Sequence, residues 1–187
     1  MPPKIVDLPE IFLAHGASGN AASMQPYVAG LKKRGLEGHT VQLPVSLAEK
    51  AVPRYREQVP DLAHAVIGGQ SYGGRVATLL AADEAPRGLV LLCFPLHRPG
   101  QPDGTTRVAH FARIKCPVLF LSGEADPFAR LDLLRAAVEK LPDARLVTYP
   151  RLGHTLRPVM DDALDLIAEF ARALSLRERP RIPLRAT

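Results

Sequence analysis

A serine, an acid and a histidine that could together activate a hydroxyl for attack on a carbonyl occur in this chain in that order. Ser71 lies in residues 69–73, GQSYG, which fit the pattern G-x-S-x-G. Asp126 and His154 follow it along the chain. A serine hydroxyl is a weak nucleophile unless a base takes its proton, and a histidine base is usually oriented by a carboxylate. The three residues therefore predict acyl chemistry through a covalent intermediate on Ser71.

The segment around Ser71 has the flanks that this motif requires. Residues 66–68 are an apolar run that suits a buried strand, and a helical apolar pattern begins at Val76. In the motif the serine sits on a sharp strand-to-helix turn, whose crowded neighbours must lack side chains. Gly69 and Gly73 meet that requirement. The alternative is a glycine-rich turn that only packs a helix on a sheet.

The acid and the base each have a simpler interpretation and a rival. Asp126 follows the fifth predicted strand and could merely cap the helix after it, and Glu124 is a weaker rival for the acid role. His154 follows the sixth predicted strand and could be a solvent-exposed loop histidine. His97 follows the fourth predicted strand and is the main rival for the base.

An oxyanion hole needs two backbone N–H groups that point to where negative charge develops. In this motif the first belongs to the residue after the nucleophile, here Tyr72, and the second comes from the loop after the first strand. That loop begins His15-Gly16-Ala17, and Ala17 N–H is the predicted second donor. His15 and Gly16, together with His97, are predicted to border the substrate. A plain strand-ending turn is the alternative for this loop.

Strands and helices alternate along the chain, which predicts a parallel sheet with helices on both faces. Because parallel strands end at the same edge, this arrangement would bring Ser71, Asp126 and His154 together where open α/β sheets bind ligands. The six predicted strands cover residues 10–15, 40–43, 66–68, 89–94, 117–122 and 145–149. Helices are predicted from Ser18 or Asn20 to Arg34, over 51–64 as a helix broken by Pro53 and Pro60, after Gly74, over 131–141 and over 159–174.

The length and the composition of the chain are those of a soluble globular protein. The chain has 187 residues, 47% of them hydrophobic and 23% charged, which fits one domain over 1–174 followed by an Arg/Pro-rich tail over 175–187. That tail, interpreted as mobile or as an arm on a partner subunit of a homodimer, carries much of the net charge of +5. The remaining basic residues are scattered and form no aromatic-interleaved patch, so nucleic acid is not an expected partner.

Neither a signal peptide nor a membrane-spanning run is visible in the sequence. The two cysteines, Cys93 and Cys116, are predicted to lie too far apart to bridge and to be free buried thiols, which favours the cytoplasm. The P-loop, the dinucleotide-binding pattern, H-E-x-x-H and paired C-x-x-C are all missing. We therefore expect no metal and no organic cofactor.

Taken together, His15-Gly16, the motif around Ser71, Asp126 and His154 resemble the α/β-hydrolase superfamily over nearly the whole chain. The size resembles small dienelactone-hydrolase-like members, and residues 94–100, FPLHRPG, with residues 73–75, GGR, resemble the testis-expressed α/β-hydrolase-like family. The resemblance implies that the six strands follow the order 2-1-3-4-5-6. The sequence departs from the family pattern because nothing strand-like and long enough for the usual N-terminal strand pair precedes Glu10, and because the lid insertion after the fourth strand is short, covering only residues 95–116. Dienelactone hydrolases carry a cysteine nucleophile, so that particular substrate is not implied.

The resemblance also implies the roles of the site residues: Ser71 as nucleophile, His154 as base, Asp126 as the acid that orients it, and Tyr72 and Ala17 as oxyanion donors. The expected function is a serine esterase or thioesterase that hydrolyses a small, soluble acyl substrate. The alternative is a binding or scaffold protein that keeps the fold without turnover.

Overall fold

The computed structural model describes residues 7–101 and 107–177. Its centre is one parallel sheet in the order β2-β1-β3-β4-β5-β6, as predicted. The central strands are buried on both faces, which explains why they appear in the sequence as continuous apolar runs. The strands are β1 (Ile11–Ala14), β2 (Gly38–Val41), β3 (Val66–Gln70), β4 (Gly88–Leu92), β5 (Val118–Gly123) and β6 (Ala144–Tyr149).

Helices cover both faces of this sheet. One apolar cluster packs α1 and α5 against one face, and a second packs α2, α3 and α4 against the other. The helices are α1 (Gln25–Lys33), α2 (Ala48–Glu57), α3 (Tyr72–Asp83), α4 (Leu131–Val138) and α5 (Met160–Arg177). Short 3-10 turns cover Ala21–Met24, Leu62–His64, Phe111–Arg113 and Arg157–Val159.

The second helix differs from its prediction. Pro53 lies inside α2 without breaking it, although a proline there removes one backbone hydrogen bond. The helix is held by tertiary packing, because Ala51 and Tyr55 are fully buried. The Tyr55 hydroxyl also lies within hydrogen-bonding distance of the Phe12 and Gly68 carbonyls, at 2.8 and 2.7 Å, which fastens α2 to β1 and β3. The predicted break is therefore wrong at Pro53, whereas α2 does end at Glu57, before Pro60, and a separate 3-10 turn covers Leu62–His64.

Other differences lie at element ends. The second strand starts at Gly38 instead of Thr40, and a 3-10 turn with no side-chain cap bond precedes α1. The last helix continues to Arg177, so the first three residues of the predicted tail are helical. Ser175 is buried there, and its hydroxyl donates to the Asp7 carbonyl at 2.9 Å. The rest of the predicted tail, 178–187, lies outside the described residues.

Both cysteines are free and buried, as predicted. Among the described residues, no helix is long and apolar enough to cross a membrane.

The segment before β5 is fastened to α3, the helix that starts after Ser71. His110 is buried, and its Nε2 lies 2.9 Å from the Thr78 hydroxyl. That hydroxyl donates to the Arg75 carbonyl at 2.8 Å, so it accepts from the imidazole. Burial first, and the charges of Arg113 and Arg75 second, lower the pKa of His110 to about 4. The ring is therefore neutral in the folded protein near neutral pH.

This buried histidine predicts an acid-sensitive stability. An unfolded histidine takes up its proton near pH ~6.5, well above the folded value, so stability is lost as pH falls from about 6.5 toward about 4. Urea unfolding should show that His110 contributes on the order of 1–2 kcal/mol to the loss between pH ~7 and pH ~5. His110→Gln keeps an N–H donor but cannot titrate. The free energy of unfolding of this variant should therefore fall less over that pH range than that of the wild-type protein. Equal losses in the two proteins would contradict this.

Candidate active site

Ser71 lies on the turn between β3 and α3 in a strained conformation. Its φ is 49° and its ψ is −112°, in a region that residues with a side chain rarely adopt. Its N–H donates to the Leu92 carbonyl at 2.8 Å, and its own carbonyl accepts from Arg75 N–H at 3.0 Å. The turn is thus fixed to the neighbouring strand on one side and to the first turn of α3 on the other.

One neighbouring atom explains why both glycines of the motif must lack a side chain. A Cβ on Gly69 or on Gly73 would overlap the Ala14 carbonyl oxygen at the end of β1. Gly69 also has a φ of 151°, which disfavours a side chain there. The close approach of β1, β3 and α3 therefore requires glycine at both places, as the sequence predicted.

The structure brings the three candidate catalytic side chains together in one chain of hydrogen bonds. His154 Nε2 lies 2.8 Å from Ser71 Oγ, and His154 Nδ1 lies 2.7 Å from Asp126 Oδ2. Because a carboxylate only accepts, we assign the ring proton to Nδ1, which leaves Nε2 to accept from the serine hydroxyl. The Asp126 side chain is fully buried, whereas that of His154 is 22% exposed.

Backbone contacts between two loops place the acid beside the base. In the loop after β5, Glu124 N–H donates to the Tyr149 carbonyl at 3.0 Å, and Ala125 N–H donates to the Leu152 carbonyl at 2.9 Å. A Cβ on Gly123 would overlap the Leu152 carbonyl oxygen, so the approach is close. The loops that carry Asp126 and His154 are therefore joined through their main chains.

The rivals for the acid and the base have other partners. Glu124 is exposed and accepts a hydrogen bond from the Thr148 hydroxyl at 2.8 Å. His97 is buried, its Nδ1–H donates to the Arg98 carbonyl at 2.8 Å, and its Nε2 accepts from Arg130 N–H at 3.0 Å. Both ring nitrogens are bonded to main chain, so this histidine supports a loop and has no nitrogen left for Ser71.

The loop after β1 lies against the serine. A Cβ on Gly16 would stand 3.8 Å from Ser71 Cβ. The Gly16 carbonyl accepts from Gly19 N–H at 3.0 Å, which closes a turn, and Ala17 on that turn is exposed. Tyr72 is the first residue of α3, so its N–H has no partner within the helix. Within residues 7–101 and 107–177, neither Tyr72 N–H nor Ala17 N–H has a protein acceptor.

His15 is buried behind this loop, with 1% of its surface exposed. Its Nδ1–H donates to the Gly16 carbonyl at 2.8 Å, and its Nε2 accepts from Leu43 N–H at 3.1 Å. Because a peptide unit is planar and trans, fixing the Gly16 carbonyl also fixes the opposite direction of Ala17 N–H. His15 therefore supports the loop, and its ring faces the protein interior, where the sequence had suggested a substrate contact.

Two further residues beside the histidine have no signal in the sequence. Phe128 N–H donates to Asp126 Oδ1 at 2.8 Å, and its ring centroid lies 4.4 Å from that of His154 at an interplanar angle of 36°. Cys93, just after β4, is fully buried beside the acid and the base. Burial, and then the nearby charge of Asp126, raises the pKa of the Cys93 thiol to about 12. The bond from Phe128 N–H to Asp126 is local, whereas tertiary packing creates the contact of the Phe128 ring with His154 and places Cys93 beside them.

Comparison with known proteins gives the same assignment of fold. A family model described as an α/β hydrolase domain matches residues 8–176. The solved structures that resemble the chain include a monoacylglycerol lipase from Paleococcus ferrophilus, with a TM-score of 0.78 and 15% sequence identity over 89% of this chain and 96% of that one. An esterase from Thermogutta terrifontis has a TM-score of 0.69 and 16% identity over 89% and 90%. A dienelactone hydrolase from Anabaena variabilis has a TM-score of 0.67 and 19% identity over 95% and 88%.

Proposed function

The chain belongs to the α/β-hydrolase domain family, and from this premise we propose that it is a serine hydrolase that cleaves small, soluble esters or thioesters. The observation that carries the proposal is the unbroken path of hydrogen bonds from Ser71 Oγ through His154 to Asp126. The names of the lipase and the esterase that share the fold also support ester cleavage.

In the proposed mechanism, His154 Nε2 takes the Ser71 proton as Oγ bonds to the carbonyl carbon of the substrate. The negative charge that develops on the carbonyl oxygen is stabilised by Tyr72 N–H and Ala17 N–H. The intermediate collapses to an acyl-enzyme, and the leaving alcohol or thiol receives the proton from His154. A water molecule then gives a proton to His154 and attacks the acyl carbon. His154 returns that proton to Ser71 Oγ as the bond between Oγ and the acyl carbon breaks, which releases the acid and restores both residues. Asp126 stays ionised and stabilises the charged ring.

We also propose the remaining features that the sequence suggested. The chain acts as a single domain up to α5, on a small acyl molecule and without a cofactor. The two free buried thiols favour a reducing cytoplasm as its location. A tail that follows α5 and contributes to a homodimer remains part of the proposal.

Saturable turnover of p-nitrophenyl butyrate tests the proposal against a binding or scaffold protein. We expect a rate that saturates with substrate, is proportional to protein concentration and disappears when the protein is unfolded. A folded protein that binds the ester but releases p-nitrophenol no faster than buffer would contradict the proposal and favour a scaffold.

Substrate length gives a further prediction, because the segment after β4 contributes little apolar wall. The described parts of this segment, 95–101 and 107–116, contain no α-helix, and the 3-10 turn Phe111–Arg113 is short. The large apolar side chains of this segment, and that of Phe94 just before it, point into the core and are at most 4% exposed: Phe94, Leu96, Val108, Phe111 and Ile114. They are therefore not free to line a long acyl chain, whose affinity needs about 0.8 kcal/mol of burial per methylene.

We expect kcat/KM to fall from acetyl and butyryl esters to dodecanoyl esters of p-nitrophenol, all measured below their micelle concentrations. A rate that rises steadily with chain length would contradict the prediction. It would show that a deep apolar pocket closes over Ser71.

A further inference from the structure

The backbone of Cys93 is strained, although Cys93 has no role in the proposed hydrolysis. Its φ is 50°, although it is not a glycine, and its N–H donates to the Leu121 carbonyl at 2.8 Å. Such a conformation is strained and persists only where the surroundings fix it. Here the surroundings hold a buried thiol beside the acid and the base.

Three potential metal ligands meet at this point. Cys93 Sγ, a carboxylate oxygen of Asp126 and a ring nitrogen of His154 all lie within 4.8 Å of one another. Tetrahedral zinc binds sulfur at ~2.3 Å and nitrogen or oxygen at ~2.0–2.2 Å, so its ligands stand roughly 3.5 Å apart. To complete three of the four positions around such an ion, the widest of these separations would shorten by at most about 1.3 Å. His154 Nδ1 and Asp126 Oδ2, which are 2.7 Å apart, would move apart by roughly 1 Å if both bind the ion.

The donor set is selective. A thiolate with an imidazole and a carboxylate suits borderline or soft ions such as Zn²⁺ and Cd²⁺, whereas Mg²⁺ and Ca²⁺ prefer sets made of oxygen alone. The thiolate and the carboxylate would also neutralise the double positive charge of the ion, which matters where two of the three side chains are buried. Partial exposure of His154 offers the ion a way in and leaves a fourth position for water.

We propose that Cys93, Asp126 and His154 form an inhibitory site for Zn²⁺ and similar divalent ions. Binding requires the Cys93 thiol to release its proton to solvent, and the sulfur then bonds to the metal. An ion on His154 Nδ1 leaves the ring proton on Nε2, and an ion on Nε2 occupies its lone pair. In either case the ring can no longer take the Ser71 proton. This inhibition rests on the proposed function, whereas metal binding itself does not.

The test compares the two buried thiols of the full-length protein. Cd²⁺ alone is the probe, and the thiolate-to-cadmium charge-transfer band in the ultraviolet is the readout. We expect one Cd²⁺ per wild-type chain, with the same band in Ser71→Ala, which keeps all three ligands. Cys93→Ala should lose the band. Cys116→Ala should keep the band, because Cys116 is also buried but lies outside the ligand cluster.

Inhibition of ester hydrolysis by Zn²⁺ is the second readout, with each variant normalised to its own metal-free rate. Losing one ligand should raise the Zn²⁺ concentration for half inhibition at least about tenfold in Cys93→Ala, and not in Cys116→Ala. Cys93→Ser, which keeps nearly the same size and is a poor ligand for soft ions, replaces Cys93→Ala if the alanine variant does not fold.

The charge-transfer band shows whether the metal site exists, even if no variant hydrolyses esters. The absence of a band in the wild type, or an equal band after loss of the Cys93 thiol, would overturn the site. A band that depends on Cys93, together with hydrolysis that is insensitive to Zn²⁺, would overturn the inhibition.

Discussion

Ser71→Ala should lower kcat for p-nitrophenyl acetate by about 10⁶, while the far-UV circular dichroism stays that of the native protein. The loss is large because no other group can form the acyl-enzyme once Oγ is gone, and His154 then has only bound water to act on. Alanine fits the space of serine, so the sheet and α3 should be preserved.

Ser122→Ala is the matched control. Ser122 is also buried, near the carboxyl end of β5, and within the described residues its hydroxyl has no hydrogen-bond partner. Its removal should change kcat by less than about twofold, since surplus hydroxyls contribute little. A Ser71→Ala protein that retains a tenth of the wild-type rate would exclude Ser71 as the nucleophile.

Asp126→Asn should lower kcat by about 10⁴, the second largest effect we expect. The asparagine amide can donate to His154 Nδ1, which would move the ring proton to Nε2 and leave Ser71 without an acceptor. The shape is kept, because an amide oxygen can still accept from Phe128 N–H.

Glu124→Gln is the comparison for this carboxylate. Glu124 lies two residues away and bonds to Thr148 instead of His154, so its loss should slow hydrolysis far less than Asp126→Asn. Steady-state kinetics of the two variants side by side give the ranking. The reverse order would show that Glu124 is the acid.

The features that the sequence predicted well are those that depend on local patterns. Continuous apolar runs indicated the central strands, and two glycines around a serine indicated the turn at Ser71, because neighbours in the chain set both. The order 2-1-3-4-5-6 came from the family resemblance and is confirmed. The shared edge then follows from geometry, since Ser71, Asp126 and His154 each come after the end of a parallel strand.

The features that the sequence did not predict depend on contacts between distant parts of the chain. The sequence leaves His97 as a rival base, whereas in the fold both of its ring nitrogens are bonded to the Arg98 and Arg130 main chain. Pro53 suggested a break, but packing against the core keeps α2 whole. Nothing in the residues around Cys93 indicated that its thiol lies beside Asp126 and His154, which only the register of the strands decides.

The measurement that tests the central claim most directly is the reaction of the folded protein with a fluorophosphonate, followed by intact-mass detection and peptide mapping. Phosphonylation requires a serine that is activated by its base and open to solvent. We predict one adduct per chain, located on Ser71, and no adduct on the folded Ser71→Ala variant. An adduct on another residue, or ester turnover by a wild-type protein that stays unlabelled, would contradict the claim that Ser71 is the nucleophile.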